Sequence, residues 1–349
     1  MSIALPIAVV GAASGLAEPA ARLSAEAIGP RDLRSVRTLR LSVTDHCNLR
    51  CIYCMPEEGL EWLPRDELLT YEEIVHVARA ALHHGIRDFK ITGGEPLVRR
   101  DLVELIARLR ALPGCGELSL TTNGLLLARL APELRRAGLD RVTVSLDTLR
   151  PRRFRELTRG GELSAVLEGT AAADECGLGP AKINVVVLRD YNLDEVADIA
   201  AWTLREPRTV RFIEFMPLAR SRVLGEGGQF VPYAEIRERI EQRLGPLTPA
   251  PADAGSGPAQ VFGAPGARGR IGFIHAMSAP FCATCNRLRL TPEGRLRSCL
   301  FDAGEVDVRA LLRPEVRPER LRRAFVECVV MKPELHGPVG DRQMSSIGG

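Results

Sequence analysis

The sequence predicts an α/β protein built on a parallel sheet, and two patterns carry that prediction. Between Arg37 and Phe215, six short apolar segments alternate with amphipathic helical stretches. Gly or Pro falls at or near several of the boundaries. A parallel sheet of six such units forms either a partly closed barrel or an open doubly wound sheet.

The expected strands cover 38–43, 88–92, 117–121, 141–145, 181–188 and 209–215. The clearest helix covers 71–84: Thr70 caps it, Glu73 completes a capping box, and Ile74, Val75, Ala78, Ala81 and Leu82 form one apolar face before Gly85 ends it. Further helical patterns cover 101–112, 126–137, 164–175 and 194–204. The alternation stops after Phe215. A helix is expected over 233–243, then a Pro-, Gly- and Ala-rich connection over 245–269. Short strands over 270–274, 287–290 and 295–300, with a turn at Pro292-Glu293-Gly294, make a small second region. The last dozen residues lack periodicity and read as a frayed tail. The organisation expected is therefore an extension over 1–30, a barrel over 31–225, a C-terminal region over 226–335 and a flexible tail over 336–349.

Composition narrows the function classes. The net charge of +3 over 349 residues is too small for a polybasic nucleic-acid binder. Residues 2–17 carry no charge, but they lack a basic residue ahead of the apolar stretch, are interrupted by Pro6 and Gly11, and are too short to span a membrane. A frayed extension is expected there. Nine cysteines is an odd number, and six of them fall in two tight sets, which suits a reducing cytoplasm better than a disulfide framework. Of the 47 basic residues 44 are arginine, and the three lysines are Lys90, Lys182 and Lys332.

Cys47, Cys51 and Cys54 form C-x3-C-x2-C directly after the first strand. Three thiolates on one loop can hold a [4Fe–4S] cubane with one iron left open, whereas a structural zinc site wants four ligands and would need His46 or a distant group as well. Thr92-Gly93-Gly94-Glu95-Pro96 follows the second strand, and paired glycines there permit close backbone approach. Together these segments resemble the radical S-adenosylmethionine (SAM) superfamily. That resemblance implies an incomplete (βα)6 TIM-type barrel in which SAM chelates the open iron, with Tyr53, Gly94, Ser145 and Met216 contacting SAM.

Cys282, Cys285 and Cys299 form C-x2-C-x13-C in the C-terminal region. His275 or His336 could complete a zinc site with them. The other cysteines, Cys115, Cys176 and Cys328, read as small buried hydrophobes. With both sets in view, the chain from about residue 30 onward resembles the GTP 3′,8-cyclase (MoaA) family. The resemblance is carried by residues 39–45, 90–96, 120–124, 144–147, 211–216, 281–282 and 285–290, and by the terminal Gly348-Gly349.

It implies a lyase with two [4Fe–4S] clusters, the second one holding substrate. The reaction implied is reductive cleavage of SAM, removal of the ribose 3′ hydrogen of GTP and closure onto C8. The product would be (8S)-3′,8-cyclo-7,8-dihydroguanosine 5′-triphosphate, the first step toward molybdenum cofactor. Arg40, Lys90, Thr121, Lys182, Arg211, Arg287, Leu288 and Arg289 match positions that bind GTP, and Gly348 with Gly349 would insert into the active site. A flavodoxin- or ferredoxin-like reductant, product transfer to cyclic pyranopterin monophosphate synthase, and a homodimer or monomer are further implications, with no membrane or nucleic-acid partner. His46 stands where many family members have arginine. Two alternatives are a radical SAM peptide maturase with an auxiliary cluster and a zinc-stabilised binding module.

The residues themselves add one argument. Arg40, Lys90, Lys182 and Arg211 sit within expected strands, where a basic side chain must face a polar interior or be excluded from the core. A polyanion inside the barrel explains them. Lys332 keeps the reading of an ordinary charge.

Overall fold

A computed structural model describes residues 29–218, 228–251, 257–301 and 304–348. Of the extension expected over 1–30, only Gly29 and Pro30 fall within the described residues.

The six units appear in the expected order: β1 (Thr38–Ser42), α1 (Tyr71–His83), β2 (Asp88–Thr92), α2 (Leu102–Arg110), β3 (Leu118–Thr122), α3 (Leu127–Arg136), β4 (Arg141–Ser145), α4 (Pro151–Thr158), α5 (Leu163–Glu175), β5 (Lys182–Val187), α6 (Val196–Ala200), α7 (Trp202–Arg205) and β6 (Thr209–Glu214). Each of β1 to β5 pairs in parallel with the next. That consecutive order decides between the two sequence-level options, because a doubly wound sheet reverses direction at a switch point. The fold is an incomplete TIM-type barrel.

Local chemistry explains its parts. Thr70 Oγ1 accepts the Glu73 N–H at 3.2 Å, and the Glu73 carboxylate accepts the Thr70 N–H at 2.7 Å, closing the capping box that starts α1. Alternation sets the strand faces: Leu39, Leu41, Phe89, Ile91, Ile183 and Val185 are fully buried beneath the helices, and the residues between them turn inward. The helix expected over 194–204 is broken into a 3-10 turn at Leu193–Glu195 followed by α6 and α7. At the break, the buried Glu195 carboxylate accepts the Thr148 hydroxyl at 2.7 Å and the Leu149 N–H at 3.0 Å. Periodicity missed α4, because three arginines dilute its short apolar face; Arg153 holds it to Asp194 at 2.7 Å.

The C-terminal half contains α8 (Tyr233–Leu244), β7 (Thr248–Pro249), β8 (Gln260–Gly263), β9 (Arg270–Ile274), β10 (Arg287–Leu290), β11 (Arg295–Arg297), β12 (Glu305–Asp307), α9 (Pro318–Val330) and α10 (Met344–Ile347). Rather than standing apart as a small region, its strands extend both edges of the barrel sheet. The order is β12-β11-β10-β1-β2-β3-β4-β5-β6-β9-β8-β7, with β10 parallel to β1 and β9 parallel to β6. Leu288 and Leu290 lie beside Leu39 and Leu41 in register, so one hydrophobic core serves both halves.

In the segment after 336, expected to be a flexible tail, residues 337–339 are exposed, whereas Gly340, Ser345, Ile347 and Gly348 are buried. Arg297, fully buried, donates to Glu305 at 2.8 Å and to Asp341 at 2.7 Å, and Arg342 donates to Glu305 at 2.9 Å. Gly340 forms a parallel bridge with Leu218, and Ile347 is fully buried. Ion pairs to distant partners hold this segment, and they leave no periodic trace in sequence. Gly349 lies outside the described residues.

Candidate active site

Inward-facing residues of the strands line one cavity. It receives Arg40 from β1, Lys90 from β2, Ser119 and Thr121 from β3, and Thr143 and Ser145 from β4. Lys182 and Asn184 come from β5, Arg211 from β6, and Arg287 and Arg289 from β10. Lys90 Nζ and Arg211 Nη2 each donate to Thr143 Oγ1 at 3.2 Å. Burial holds the Lys90 ammonium and the Arg40 guanidinium well below their ordinary ranges, and the surrounding cations add to the effect. Burial, followed by Arg287, pushes Arg289 down to about 9. A guanidinium remains charged at neutral pH, so this crowding is a repulsion that an anion would relieve.

Leu288 differs from its neighbours in that its side chain is turned away from the cavity, so only its backbone is left to meet a ligand. Its side chain is fully buried in the core because β10 alternates, sending Arg287 and Arg289 into the cavity and Leu288 to the opposite face. Asn184 was missed, although it lies two residues after Lys182 on the same strand face. The Oδ1 atom of Asn184 and the Oγ1 atom of Thr121 are buried without hydrogen-bond partners.

The loop after β1 carries the first cysteine set. Gly94 N–H donates to Thr44 O and Glu95 N–H to His46 O, both at 2.8 Å. A Cβ on Gly94 would collide with the carbonyls of Asp45 and His46. The glycine pair therefore lets β2 approach the cysteine loop itself. Glu95 fixes the neighbouring turn, accepting the Thr122 hydroxyl at 2.8 Å and the Asn123 N–H at 2.7 Å, while burial pushes its carboxyl up to about 7. Burial also pushes the thiols up, Cys47 to about 11, Cys54 to about 12 and Cys51 well above its ordinary value; Cys51 and Cys54 additionally feel neighbouring thiols. The Leu49 N–H lies 3.4 Å from Cys47 Sγ, and the Ser345 backbone N–H reaches the Cys54 thiol. His46 stacks on Trp62, with ring centroids 4.9 Å apart. Tyr53, Ser145 and Met216 line the cavity, and the Tyr53 hydroxyl donates to Asp147 Oδ2 at 2.7 Å. Burial raises the Asp147 carboxyl to about 6.

Cys282, Cys285 and Cys299 line the same cavity. Burial alone would push the Cys285 thiol up, but Arg287 and Lys332 together bring it down to about 6. Lys332 corrects another expectation, because it is buried and donates to Cys285 O at 2.8 Å and to Cys285 Sγ at 3.3 Å. The three isolated cysteines divide: Cys328 is fully buried, while Cys115 and Cys176 are partly exposed. All nine thiols are free of disulfides. Among the described residues, no three His, Cys, Asp or Glu side chains converge on a single-ion site.

The tail reaches this cavity. Met344 lines it, and Arg289 Nη1 donates to the Gly348 carbonyl. Gly348 adopts φ +70° against Ser42 and Thr92, where a Cβ would collide with Thr92 Cγ2.

Comparison with known proteins matches residues 41–203 to the Radical SAM superfamily and residues 208–338 to Molybdenum Cofactor Synthesis C. The GTP 3′,8-cyclase of Pelotomaculum thermopropionicum is 48% identical over 320 residues, spanning 90% of this chain and 98% of that protein. The chain belongs to the GTP 3′,8-cyclase family. The family's enzyme from Heliobacterium modesticaldum is also 48% identical, over 327 residues, with 90% of this chain and 98% of that one covered. Among solved structures, Streptococcus suis SuiB is similar with a TM-score of 0.55 at 14% identity, covering 87% of this chain and 67% of that chain. The similarity to SuiB concerns the fold alone. In this GTP 3′,8-cyclase family member, both matched regions contribute to one cavity: Lys90, Ser145 and Lys182 from the first, and Arg211, Cys285 and Arg289 from the second. Among the described residues, no helix is long and apolar enough to cross a membrane.

Proposed function

We propose that the chain is a GTP 3′,8-cyclase that binds two [4Fe–4S] clusters and SAM and catalyses the first step of molybdenum cofactor synthesis. The observation that carries the substrate assignment is the convergence of Arg40, Lys90, Lys182, Arg211, Arg287 and Arg289 on one cavity that the second cysteine set also lines. A nucleoside triphosphate offers the multiple phosphate oxygens that guanidinium forks and ammonium groups bind well.

The donor sets suit the groups assigned to them. Cys47, Cys51 and Cys54 would hold one cluster, and Cys282, Cys285 and Cys299 the other. Backbone N–H groups directed at Cys47 and Cys54 support thiolate ligation at the first site, as Lys332 does at the second. SAM held at the first site would supply the radical chemistry needed to remove the ribose 3′ hydrogen of GTP. Tyr53, Ser145 and Met216 would contact SAM from the cavity wall, with Asp147 orienting the Tyr53 hydroxyl. The Gly94 backbone would complete the SAM cradle. Thr121 Oγ1 and Asn184 Oδ1 offer neutral contacts to the nucleotide. The enclosing strands and the tail would orient the two ligands and exclude water.

A flavodoxin- or ferredoxin-like protein in the reducing cytoplasm would supply electrons, and the cyclised product would pass to cyclic pyranopterin monophosphate synthase. Anaerobically purified protein is expected to contain about eight irons and a matching amount of labile sulfide. Zinc without sulfide would instead establish a zinc-stabilised module.

A further inference from the structure

We infer that Lys332 is a positioning residue for the second cluster, holding the ligating sulfur of Cys285 and making that cluster easier to reduce. The inference rests on the proposal that Cys282, Cys285 and Cys299 ligate a cluster. Lys332 follows α9 and is 2% exposed. Its Nζ donates at 2.8 Å to the Cys285 carbonyl and at 3.3 Å to Cys285 Sγ. Two bonds to one residue fix the ammonium more tightly than a single contact to sulfur would. Among the described residues, no carboxylate forms an ion pair with Lys332, so its charge is directed at the thiolate.

The surrounding chain holds the lysine in this position. The Arg31 side chain donates to the Lys332 carbonyl at 2.7 Å, tying the start of the described chain to the same point. Ser298 Oγ donates to Met331 O at 3.4 Å, so the segment bearing Lys332 also touches the loop that carries Cys299. Four residues later, the His336 backbone N–H reaches the Cys282 thiol. One short stretch therefore contacts two of the three ligands and the loop of the third. Burying a lysine costs free energy unless partners compensate, and the partners here are the Cys285 carbonyl and the Cys285 sulfur.

Reduction adds negative charge to a cluster. A buried cation and an N–H donor at a ligating sulfur stabilise the more negative state and raise the reduction potential. Arg287 lies farther from the same sulfur, at 3.7 Å, and also faces the substrate cavity. Lys332 is absent from that cavity lining, which separates its effect on the cluster from direct phosphate binding.

The test uses full-length, anaerobically reconstituted protein without SAM or GTP, with iron and sulfide counted and each cluster titrated by electron paramagnetic resonance. Lys332→Met is expected to shift the second cluster to a more negative potential and leave the first unchanged. Lys332→Arg is expected to restore most of the shift. An unchanged second-cluster potential in Lys332→Met, or equal shifts of both clusters, would overturn the inference. If Lys332→Met assembles no second cluster, selective recovery of its iron in Lys332→Arg supports the inference, and failure of both variants to retain it contradicts it. Absence of the second cluster from the parent protein would instead overturn the ligation proposal on which the inference rests.

Discussion

A chain ending at Ile347 is expected to lose cyclisation, with activity falling at least about 100-fold because a reacting arrangement is displaced. The tail is anchored upstream of the deletion by Arg297 on Asp341 and by Arg342 on Glu305. Removing Gly348 and Gly349 therefore leaves that anchoring in place while deleting the carbonyl that accepts from Arg289. Arg289 would no longer be held at its cavity position, and the passage beside Ser42 and Thr92 would open. Iron and sulfide contents are expected to equal those of the parent, because neither glycine is a proposed ligand. Gly348→Ala provides a second route to the same result, since its Cβ would collide with Thr92 and strain a backbone at φ +70°. Product formation measured beside cluster content checks the prediction. Full activity in the truncated chain would show that the tail's contact with Arg289 has no role in the reaction.

Lys182→Ala is expected to weaken GTP binding about 10- to 100-fold, the range for losing a hydrogen-bonded contact to a charged group. Lys182 lies on the inward face of β5, and its charge adds to the repulsion felt by Lys90. Removing it relieves that crowding in the ligand-free protein, so loss of affinity is expected without loss of folding. SAM binding and iron content should remain close to the parent values. Equilibrium binding of GTP at two salt concentrations provides the check, because a lost phosphate contact also reduces salt sensitivity. Unchanged affinity would remove Lys182 from the phosphate site, whereas parallel loss of GTP and SAM binding would indicate general damage to the barrel.

Strand alternation made much of the barrel interior legible. Arg40, Lys90, Lys182 and Arg211 interrupt apolar strands, and the same period turns all four inward. That period also separates Leu288 from its neighbours Arg287 and Arg289, a distinction hidden when the segment is considered as a single motif. Asn184 was equally accessible to this reasoning, but an asparagine in a strand is less conspicuous than a charge. Other features depend on pairings far apart in the chain. The C-terminal strands join opposite edges of the barrel because β10 reaches β1 and β9 reaches β6. The tail is fixed by Asp341 and Arg342, and Lys332 meets Cys285 across 47 positions. No local propensity encodes those meetings.

Two cofactor-dependent regions are proposed to act on one triphosphate. Anaerobic incubation of reconstituted protein with GTP, SAM and a strong reductant, with both products quantified, tests this most directly. 5′-Deoxyadenosine is expected together with a matching amount of cyclised guanine nucleotide. SAM cleavage without GTP consumption would contradict the cyclase assignment.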